Sequence, residues 1–170
     1  MSRPPAVFPA GLHDARWITL DDDVMGGHSC SRVDVRDGVL TFAGTTSLED
    51  NGGFASIRAR GAFDFSAAAA MCLRVRGDGR AYQLRVATDA RHRGSNVSWR
   101  GDFTTRAGEW TEVSVDFAQM QPTYRGTVLE GRTLDLSRVE EIGLLIGDGR
   151  AGDFALDVAW IRPLASARDT

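Results

Sequence analysis

Apolar and polar residues alternate with a period of two along most of this chain, and no window carries the apolar stripe of an amphipathic helix. The alternation is clearest in residues 71–76, 82–86, 113–117 and 154–160. Successive side chains of a strand point to opposite faces, so each segment predicts a strand with one face in a core and the other in solvent.

Two turns rich in glycine and aspartate separate alternating segments and predict β-hairpins. Asp37 and Gly38 lie between residues 33–35 and 39–42, and the sequence GDG at 77–79 lies between residues 71–76 and 82–86. Asp-Gly pairs favour tight hairpin turns because both central residues need left-handed backbone angles. We therefore expect each pair of segments to form two adjacent antiparallel strands.

These segments together predict an all-β fold. Further strands are expected at residues 17–20, 55–60, 96–103 and 141–146, while the alanine run at 67–70 forms at most a turn. Short strands separated by glycine and aspartate turns are typical of an antiparallel jelly-roll β-sandwich.

The length and composition fit a globular chain with one core. The chain has 170 residues, of which 42% are hydrophobic and 25% charged, and a domain of this size buries roughly 70% of its unfolded surface. We expect a single domain spanning residues 1–170, with 1–12 and 166–170 loosely ordered. The two cysteines, Cys30 and Cys72, are far apart, so no disulfide framework or zinc site is expected.

The charge and the termini limit the class of partner. The net charge is -3, which argues against non-specific nucleic-acid binding. All 20 basic residues are arginine, a bias that follows from genomic base composition or serves recognition of anions by guanidinium forks. Neither a secretory signal nor an apolar run of membrane-spanning length is present, so we expect a cytoplasmic protein without direct membrane insertion.

No arrangement of residues predicts catalysis. The histidines His13, His28 and His92 are scattered, and GHSCS at 27–31 lacks the final glycine and the strand-to-helix setting of a nucleophile elbow. We therefore expect a protein that is not an enzyme and holds no cofactor.

Acidic loops near the two ends of the chain suggest a calcium-binding hypothesis. Asp22 and Asp23 could meet Asp148 and Asp153 at one end of a sandwich, where carboxylate oxygens suit calcium. The alternative is a set of solvated acidic loops, because no spacing here matches a calcium-binding loop.

Aromatic residues offer a carbohydrate hypothesis. Four aromatic residues could stack on a sugar ring if they share an exposed concave face, or they could pack in the core: Trp99, Trp110, Tyr82 and Tyr124. Trp110 and Trp160 lie within strand patterns and are expected to pack in the core or cap it. A carbohydrate- or small-ligand-binding module is thus an alternative function.

Two longer blocks carry a family resemblance. They are DDVMGGHS at residues 22–29 and NGGFASIR at 51–58, and shorter blocks follow in the same order up to about residue 161. The shorter blocks include GDGR at 77–80 with Tyr82, and Pro122 with Arg125. The chain resembles the complex I intermediate-associated protein family over about residues 17–161.

The resemblance implies a galactose-binding-domain-like jelly roll, in agreement with the alternation. It also implies a chaperone-like assembly factor, because mitochondrial members hold intermediates of respiratory complex I through protein contacts. The expected partners are respiratory-complex subunits or intermediates. Because the matching region begins close to Met1, we expect a bacterial member without a mitochondrial targeting extension.

The resemblance and the aromatic residues together define a candidate binding surface. Its members are Asp22, Asp23, Met25, His28, Ser29, Asn51, Arg58, Asp78, Arg80, Tyr82, Trp99 and Arg125. An alternative for the two long blocks is structural. Their glycines and side-chain acceptors would brace the two loops against each other and close one end of the sandwich.

Overall fold

The computed structural model describes residues 16–21, 27–49, 52–125 and 127–165. Within them are strands β1 to β12 and two single-turn 3-10 helices, Phe117–Gln119 and Leu136–Arg138. No described helix is long and apolar enough to cross a membrane. The strands, in chain order, are Trp17–Thr19, Cys30–Arg36, Val39–Thr46, Ala55–Phe63, Ala68–Arg76, Ala81–His92, Ser95–Thr104, Trp110–Asp116, Gln121–Tyr124, Thr127–Val128, Val139–Ile146 and Gly152–Ala165.

The strands form two antiparallel sheets. One sheet has seven strands in the order β1-β4-β11-β6-β7-β9-β10, and the other has five in the order β2-β3-β12-β5-β8. The predicted antiparallel jelly-roll sandwich is confirmed, and every predicted strand is present. The short strands β9 and β10 were not predicted, because four and two residues carry too little alternation to detect.

One of the two predicted hairpins forms. Asp37 and Gly38 adopt φ angles of 52° and 78° and join β2 to β3, as a type I′ turn requires. The hairpin predicted around residues 77–79 is wrong, because β5 belongs to the five-stranded sheet and β6 to the seven-stranded sheet. Alternation reports which side of its own strand a residue occupies, and it does not identify the partner strand.

The alanine run provides a smaller correction. Residues 68–70 begin β5 instead of forming a turn. Ala70 is buried opposite Asp116 of β8, so tertiary packing overrides the helix propensity of alanine.

The core lies between the two sheets. Leu84, Ile142 and Leu144 of the seven-stranded sheet and Leu40 and Leu73 of the five-stranded sheet have no exposed surface. Burying one face of every central strand leaves two outer sheet faces and the loops at either end to contact other molecules.

Candidate functional site

The segment that precedes the first long block contacts the second block, where β1 pairs with β4. The buried carboxylate of Asp21 accepts hydrogen bonds from Ser31 Oγ at 2.6 Å and from the Ser56 backbone N–H at 3.1 Å. The backbone N–H of Leu20 donates to the Ser56 carbonyl at 2.8 Å, and Ser56 Oγ donates to the Leu20 carbonyl. In the described residues these segments therefore brace each other.

Ser29, a candidate binding residue, also braces this end. It is 3% exposed, and its hydroxyl accepts from the Ser47 backbone N–H at 2.9 Å and donates to the Ser47 carbonyl at 3.3 Å. His28 beside it is exposed. The other candidates of the two blocks, apart from Arg58, lie outside the described residues: Asp22, Asp23, Met25 and Asn51.

Arg80, another candidate, is a buried ion-pair partner. It is 8% exposed and donates to both carboxylate oxygens of Asp148, at 2.9 Å from Nε and 2.6 Å from Nη2. Hydrogen bonding between the two groups raises the pKa of Arg80 and lowers the pKa of Asp148. Its remaining acceptors are Thr46 Oγ1 and the carbonyls of Arg150, Gly152 and Asp153.

This ion pair corrects the calcium hypothesis for Asp148, because both carboxylate oxygens face a guanidinium. Asp153 is exposed and accepts a hydrogen bond from Thr45 Oγ1 at 2.8 Å. No group of three or more histidine, cysteine, aspartate or glutamate side chains in the described part of the chain could hold a metal ion.

Asp78 and Tyr82 complete the brace where the chain crosses between the sheets. Asp78 accepts from the backbone N–H groups of Arg80 at 3.1 Å and Ala155 at 2.9 Å, and from the Tyr82 hydroxyl at 3.1 Å. Burial is the main cause of the raised pKa of Tyr82. The candidates Asp78, Arg80 and Tyr82 thus hold loops together.

The hypothesis that Trp99 and Tyr82 stack on a sugar is wrong, because both rings are buried. Trp99 is 2% exposed and Tyr82 1%. Trp99 lies on the inner side of β7 with Val97 and Phe103, while Ser98 and Arg100 point outward. The polar neighbours that favoured exposure of Trp99 instead mark the opposite side of the same strand.

Arg125, the remaining candidate outside the two blocks, lies at an edge of the seven-stranded sheet. Its guanidinium carbon is 5.4 Å from the centre of the Tyr124 ring. His92 contacts the same ring at a centroid distance of 4.9 Å, and Arg132 Nη2 lies 3.3 Å from His92 Nδ1. The described contacts of this cluster thus join one histidine, one tyrosine and two arginines.

The outer face of the five-stranded sheet carries two tryptophans that were expected in or over the core. The Arg76 guanidinium carbon lies 4.8 Å from the Trp110 ring centre and that of Arg74 lies 5.6 Å from it. The Arg162 guanidinium carbon lies 4.2 Å from the Trp160 ring centre. Both indoles are half-buried, and we call Trp110, Trp160, Arg74, Arg76 and Arg162 the tryptophan face.

A β-bulge explains why the expectation for Trp160 was wrong. Phe154, Leu156 and Val158 face the core, and strict alternation would place Trp160 there too. The register shifts between Val158 and Trp160, so that Ile161 becomes buried and Trp160 lies opposite the outward-facing Arg74.

The outer face of the seven-stranded sheet carries a row of arginines in cross-strand register. Arg58 lies opposite Gly143, Gly143 opposite Arg85, and Arg85 opposite Arg100. We call this surface the arginine face. Its members are Arg58, Gln83, Arg85, Ser98, Arg100, Asp102, Thr123, Glu141 and Gly143.

Arg85 is the member of this row without an acidic partner. Its Nε donates to Gln83 Oε1 at 2.9 Å, and its Nη1 donates to Thr123 Oγ1 at 2.9 Å and Ser98 Oγ at 3.3 Å. No described carboxylate forms an ion pair with it. Burial, followed by the nearby charges of Arg100 and Arg58, lowers the pKa of Arg85 to about 10.

The two flanking arginines are paired. Arg58 Nη1 lies 3.1 Å from Glu141 Oε1, and Arg100 Nε lies 3.0 Å from Asp102 Oδ1. The sequence had identified Arg58 as a candidate and had missed Arg85 and Arg100. The alternation could have predicted that Arg85 and Arg100 point outward from adjacent strands. It could not predict the strand register that places them opposite each other, because register is set by tertiary structure.

The comparisons with known proteins identify a family. The model described as Complex I intermediate-associated protein 30 (CIA30) matches residues 7–158. The chain is 27% identical over 167 residues to the mitochondrial complex I intermediate-associated protein 30 of Mus musculus. That alignment covers 86% of this chain and 51% of the mouse protein, so the chain spans about half the length of this relative.

Solved structures with the same fold include carbohydrate-binding modules. The family 11 module of the cellulosomal cellulase Lic26A-Cel5E of Clostridium thermocellum has a TM-score of 0.68 and 14% identity, covering 96% of this chain and 94% of the module. A family 29 module has a TM-score of 0.54 and 10% identity, covering 99% of this chain and 92% of the module. An agarase has a TM-score of 0.63 and 13% identity, covering 98% of this chain and 25% of the agarase. At these identities the similarity establishes the fold alone.

Proposed function

The chain belongs to the complex I intermediate-associated protein 30 family, and from this premise we propose that it is a non-catalytic binding domain that assists assembly of a respiratory complex through protein contacts. The observation that carries the proposal is the family match over residues 7–158. The expected partners are subunits or intermediates of respiratory complex I, the complex named for the mouse relative. We propose the cytoplasm of a bacterium as the location, whereas the mouse relative is mitochondrial.

The tryptophan face is the surface best suited to such a contact. Tryptophan and arginine are the residue types most enriched among those that dominate the binding energy of protein interfaces. Trp110 and Trp160 each retain exposed indole surface, and arginines stacked on them hold the rings in place. A partner covering this face would bury aromatic surface that is already ordered, at a low entropic cost.

The end of the sandwich that carries the two sequence blocks is a second part of the proposed contact surface. Asp21 and Ser29 there make bracing hydrogen bonds, while the neighbouring His28 is exposed. The contribution of Asp22, Asp23, Met25 and Asn51 to this surface stays a prediction.

Affinity purification from the native cells tests the protein-contact proposal. Tagged wild-type chain is expected to recover complex I subunits, and the double variant Trp110→Ala/Trp160→Ala is expected to lose them. Arg36→Ala is the matched control, because Arg36 is an exposed residue of the same five-stranded sheet and its side chain is 85% exposed. Circular dichroism establishes that all three chains are folded. Recovery of no respiratory protein above background by the wild type would overturn the proposal.

A carbohydrate- or small-ligand-binding module is the second candidate function. The observation that favours it is that two partly exposed tryptophans share one outer sheet face, since indole faces stack well on sugar rings. This candidate now depends on Trp110 and Trp160, because Trp99 and Tyr82 are buried.

A glycan array followed by calorimetry separates the two candidates. The second candidate predicts a saturable glycan signal that Trp110→Ala/Trp160→Ala removes and Arg36→Ala retains. Silence across neutral and acidic glycans, combined with recovery of protein partners, would exclude it.

A further inference from the structure

We propose that the notch above Gly143, between Arg58 and Arg85, binds the oxyanion group of a small ligand, a carboxylate, phosphate or sulfate. Arg85 is its principal cation, and Arg58 and Arg100 flank it. The site lies on the seven-stranded sheet, whereas the tryptophan face lies on the five-stranded sheet. The outcome of the protein-contact experiment therefore leaves this proposal unaffected.

The notch arises from a glycine in the middle of the arginine row. Arg58 and Arg85 lie on strands that flank β11, two strand spacings or roughly 10 Å apart. Gly143 between them has no side chain. A Cβ built there would lie 2.9 Å from the Ile57 carbonyl oxygen, 3.4 Å from Arg58 Cγ and 3.5 Å from Arg85 Cβ, so only glycine fits here and no side chain separates the two arginine stems.

The charge of Arg85 is compensated only in part, through the nearby charge of Asp102, which raises its pKa. Glu141 offsets Arg58, Asp102 offsets Arg100, and Arg85 has only neutral acceptors among the described residues. A partly buried cation without a counterion is costly, and two further cations beside it add to the cost. An oxyanion in the notch would supply the missing negative charge.

The guanidinium of Arg85 keeps one nitrogen available for a further acceptor. Its Nε and Nη1 are used within the sheet, while Nη2 makes no hydrogen bond to a described residue. This nitrogen is not fully buried, so part of its surface contacts solvent. The bonds to Gln83, Ser98 and Thr123 therefore preorganise the group, and its free N–H groups suit an oxyanion.

The flanking arginines hold further donors for the same group. Arg58 uses Nη1 for Glu141, and Arg100 uses Nε and Nη2 for Asp102. The other guanidinium nitrogens of both residues make no hydrogen bond within the described ranges. Guanidinium groups on two sides match the several acceptor oxygens of one carboxylate, phosphate or sulfate group.

Titration of the full chain, followed by 1H–15N NMR, tests the site. Sodium phosphate, sodium sulfate and sodium glucuronate are the probes, each at constant ionic strength balanced with sodium chloride, and glucose is the neutral control. At least one anion should produce saturable shifts at the amides of Arg58, Arg85 and Gly143, while glucose produces none. The anion that binds identifies the oxyanion class. If none of the three produces a saturable shift at these residues, the proposal is overturned.

Variants distinguish an oxyanion site from a general charge effect. Arg85→Gln is expected to weaken binding at least about tenfold, the value of a lost charge-assisted hydrogen bond. Glu141→Gln is expected to strengthen binding about threefold, because it frees Arg58, and a gain of affinity cannot arise from unfolding. Arg36→Gln removes one charge from the other sheet and should leave affinity unchanged.

The proposed oxyanion site can still be tested if Arg85→Gln does not fold. In that case Arg58→Gln, which leaves the bonds of Arg85 intact, is expected to weaken binding about threefold, opposite in sign to Glu141→Gln. Equal affinities in Arg58→Gln, Glu141→Gln and the wild type would refute the site.

Discussion

Arg80 and Arg85 are close neighbours in sequence, yet the fold gives them opposite electrostatic surroundings. Arg80 is deeply buried and forms a two-bond ion pair with Asp148, and its pKa is raised. Arg85 lies on a sheet face with neutral acceptors and two neighbouring arginines, and its pKa is lowered to about 10. The difference teaches that hydrogen bonding to a carboxylate outweighs the effect of burial on the pKa of Arg80, whereas burial dominates for Arg85, which has no such partner.

The two arginines accordingly differ in the function that they suit. The hydrogen bonds of Arg80 are directed at the loops it holds, so it stabilises the crossing between the sheets. Arg85 keeps an unused donor nitrogen and has no ion-pair partner among the described residues, the features of a binding group. Removing the partner from Arg80, or supplying one to Arg85, tests this contrast directly.

Removing the carboxylate partner of Arg80 is expected to have the largest effect. Asp148→Asn keeps the shape of the side chain and leaves the guanidinium buried without a counterion, so the free energy of unfolding should fall by about 3 to 5 kcal/mol. Urea denaturation measures the loss. The control Asp153→Asn alters an exposed carboxylate and should change stability by less than about 0.5 kcal/mol. Equal losses in the two variants would contradict the special role of the buried pair.

The stabilisation by the ion pair of Arg80 with Asp148 is expected to depend on pH. The folded state lowers the pKa of Asp148, chiefly through hydrogen bonding to Arg80. The unfolded chain thus binds the proton more readily. The stabilisation is fully present above the unfolded-state pKa of about 3.9, and it is lost as the pH falls through the lower pKa of Asp148 in the folded state. Denaturation of wild type and Asp148→Asn from pH 7 to pH 2 should show a constant difference down to about pH 5 and a shrinking one in stronger acid. A difference that persists unchanged at pH 2 would assign the loss to another cause.

Supplying a carboxylate partner to Arg85 is expected to raise the free energy of unfolding. Gln83→Glu replaces the neutral acceptor of Arg85 Nε with a carboxylate of the same shape, and charge-assisted hydrogen bonds are stronger than neutral ones. Stability at pH 7 should rise by about 1 kcal/mol, and affinity for oxyanions should fall.

Gln121→Glu is the matched control for this gain. It adds the same charge to an exposed position opposite Arg100, on the same sheet face. Its stability should change by less than about 0.5 kcal/mol. Unchanged oxyanion affinity in Gln83→Glu would show that Arg85 is not short of a counterion.

Neutralising Arg58 is expected to have the smallest effect on stability. Arg58→Gln loses the pair with Glu141, but it also removes a cation that lowers the pKa of Arg85. Arg60 lies 3.7 Å from Glu141 and remains as its partner. The change should stay within about 0.5 kcal/mol in urea denaturation in chloride buffer. A loss of stability larger than that of Asp148→Asn would contradict the expectation that the Arg80 ion pair contributes more to stability than the pair of Arg58 with Glu141.

The sequence predicted the strands more completely than the candidate site. Of the residues proposed for a binding surface, Asp78, Arg80 and Tyr82 brace the crossing between the sheets, and Trp99 lies in the core. Arg58 lies beside Arg85 on a polar face that the sequence did not identify as a unit. Trp110 and Trp160, expected in or over the core, lie on the opposite outer face.

The sequence by itself determined the strands, the sandwich and the family, because alternation and contiguous blocks are local signals. The tertiary structure decided that β5 and β6 lie in different sheets, that a bulge turns Trp160 outward, and that Asp148 faces Arg80 while no described carboxylate pairs with Arg85. These features depend on register and on distances between residues far apart in the chain. Electrostatic energy depends on distances in space, so the charge environment of each arginine could be assigned only from the paired strands.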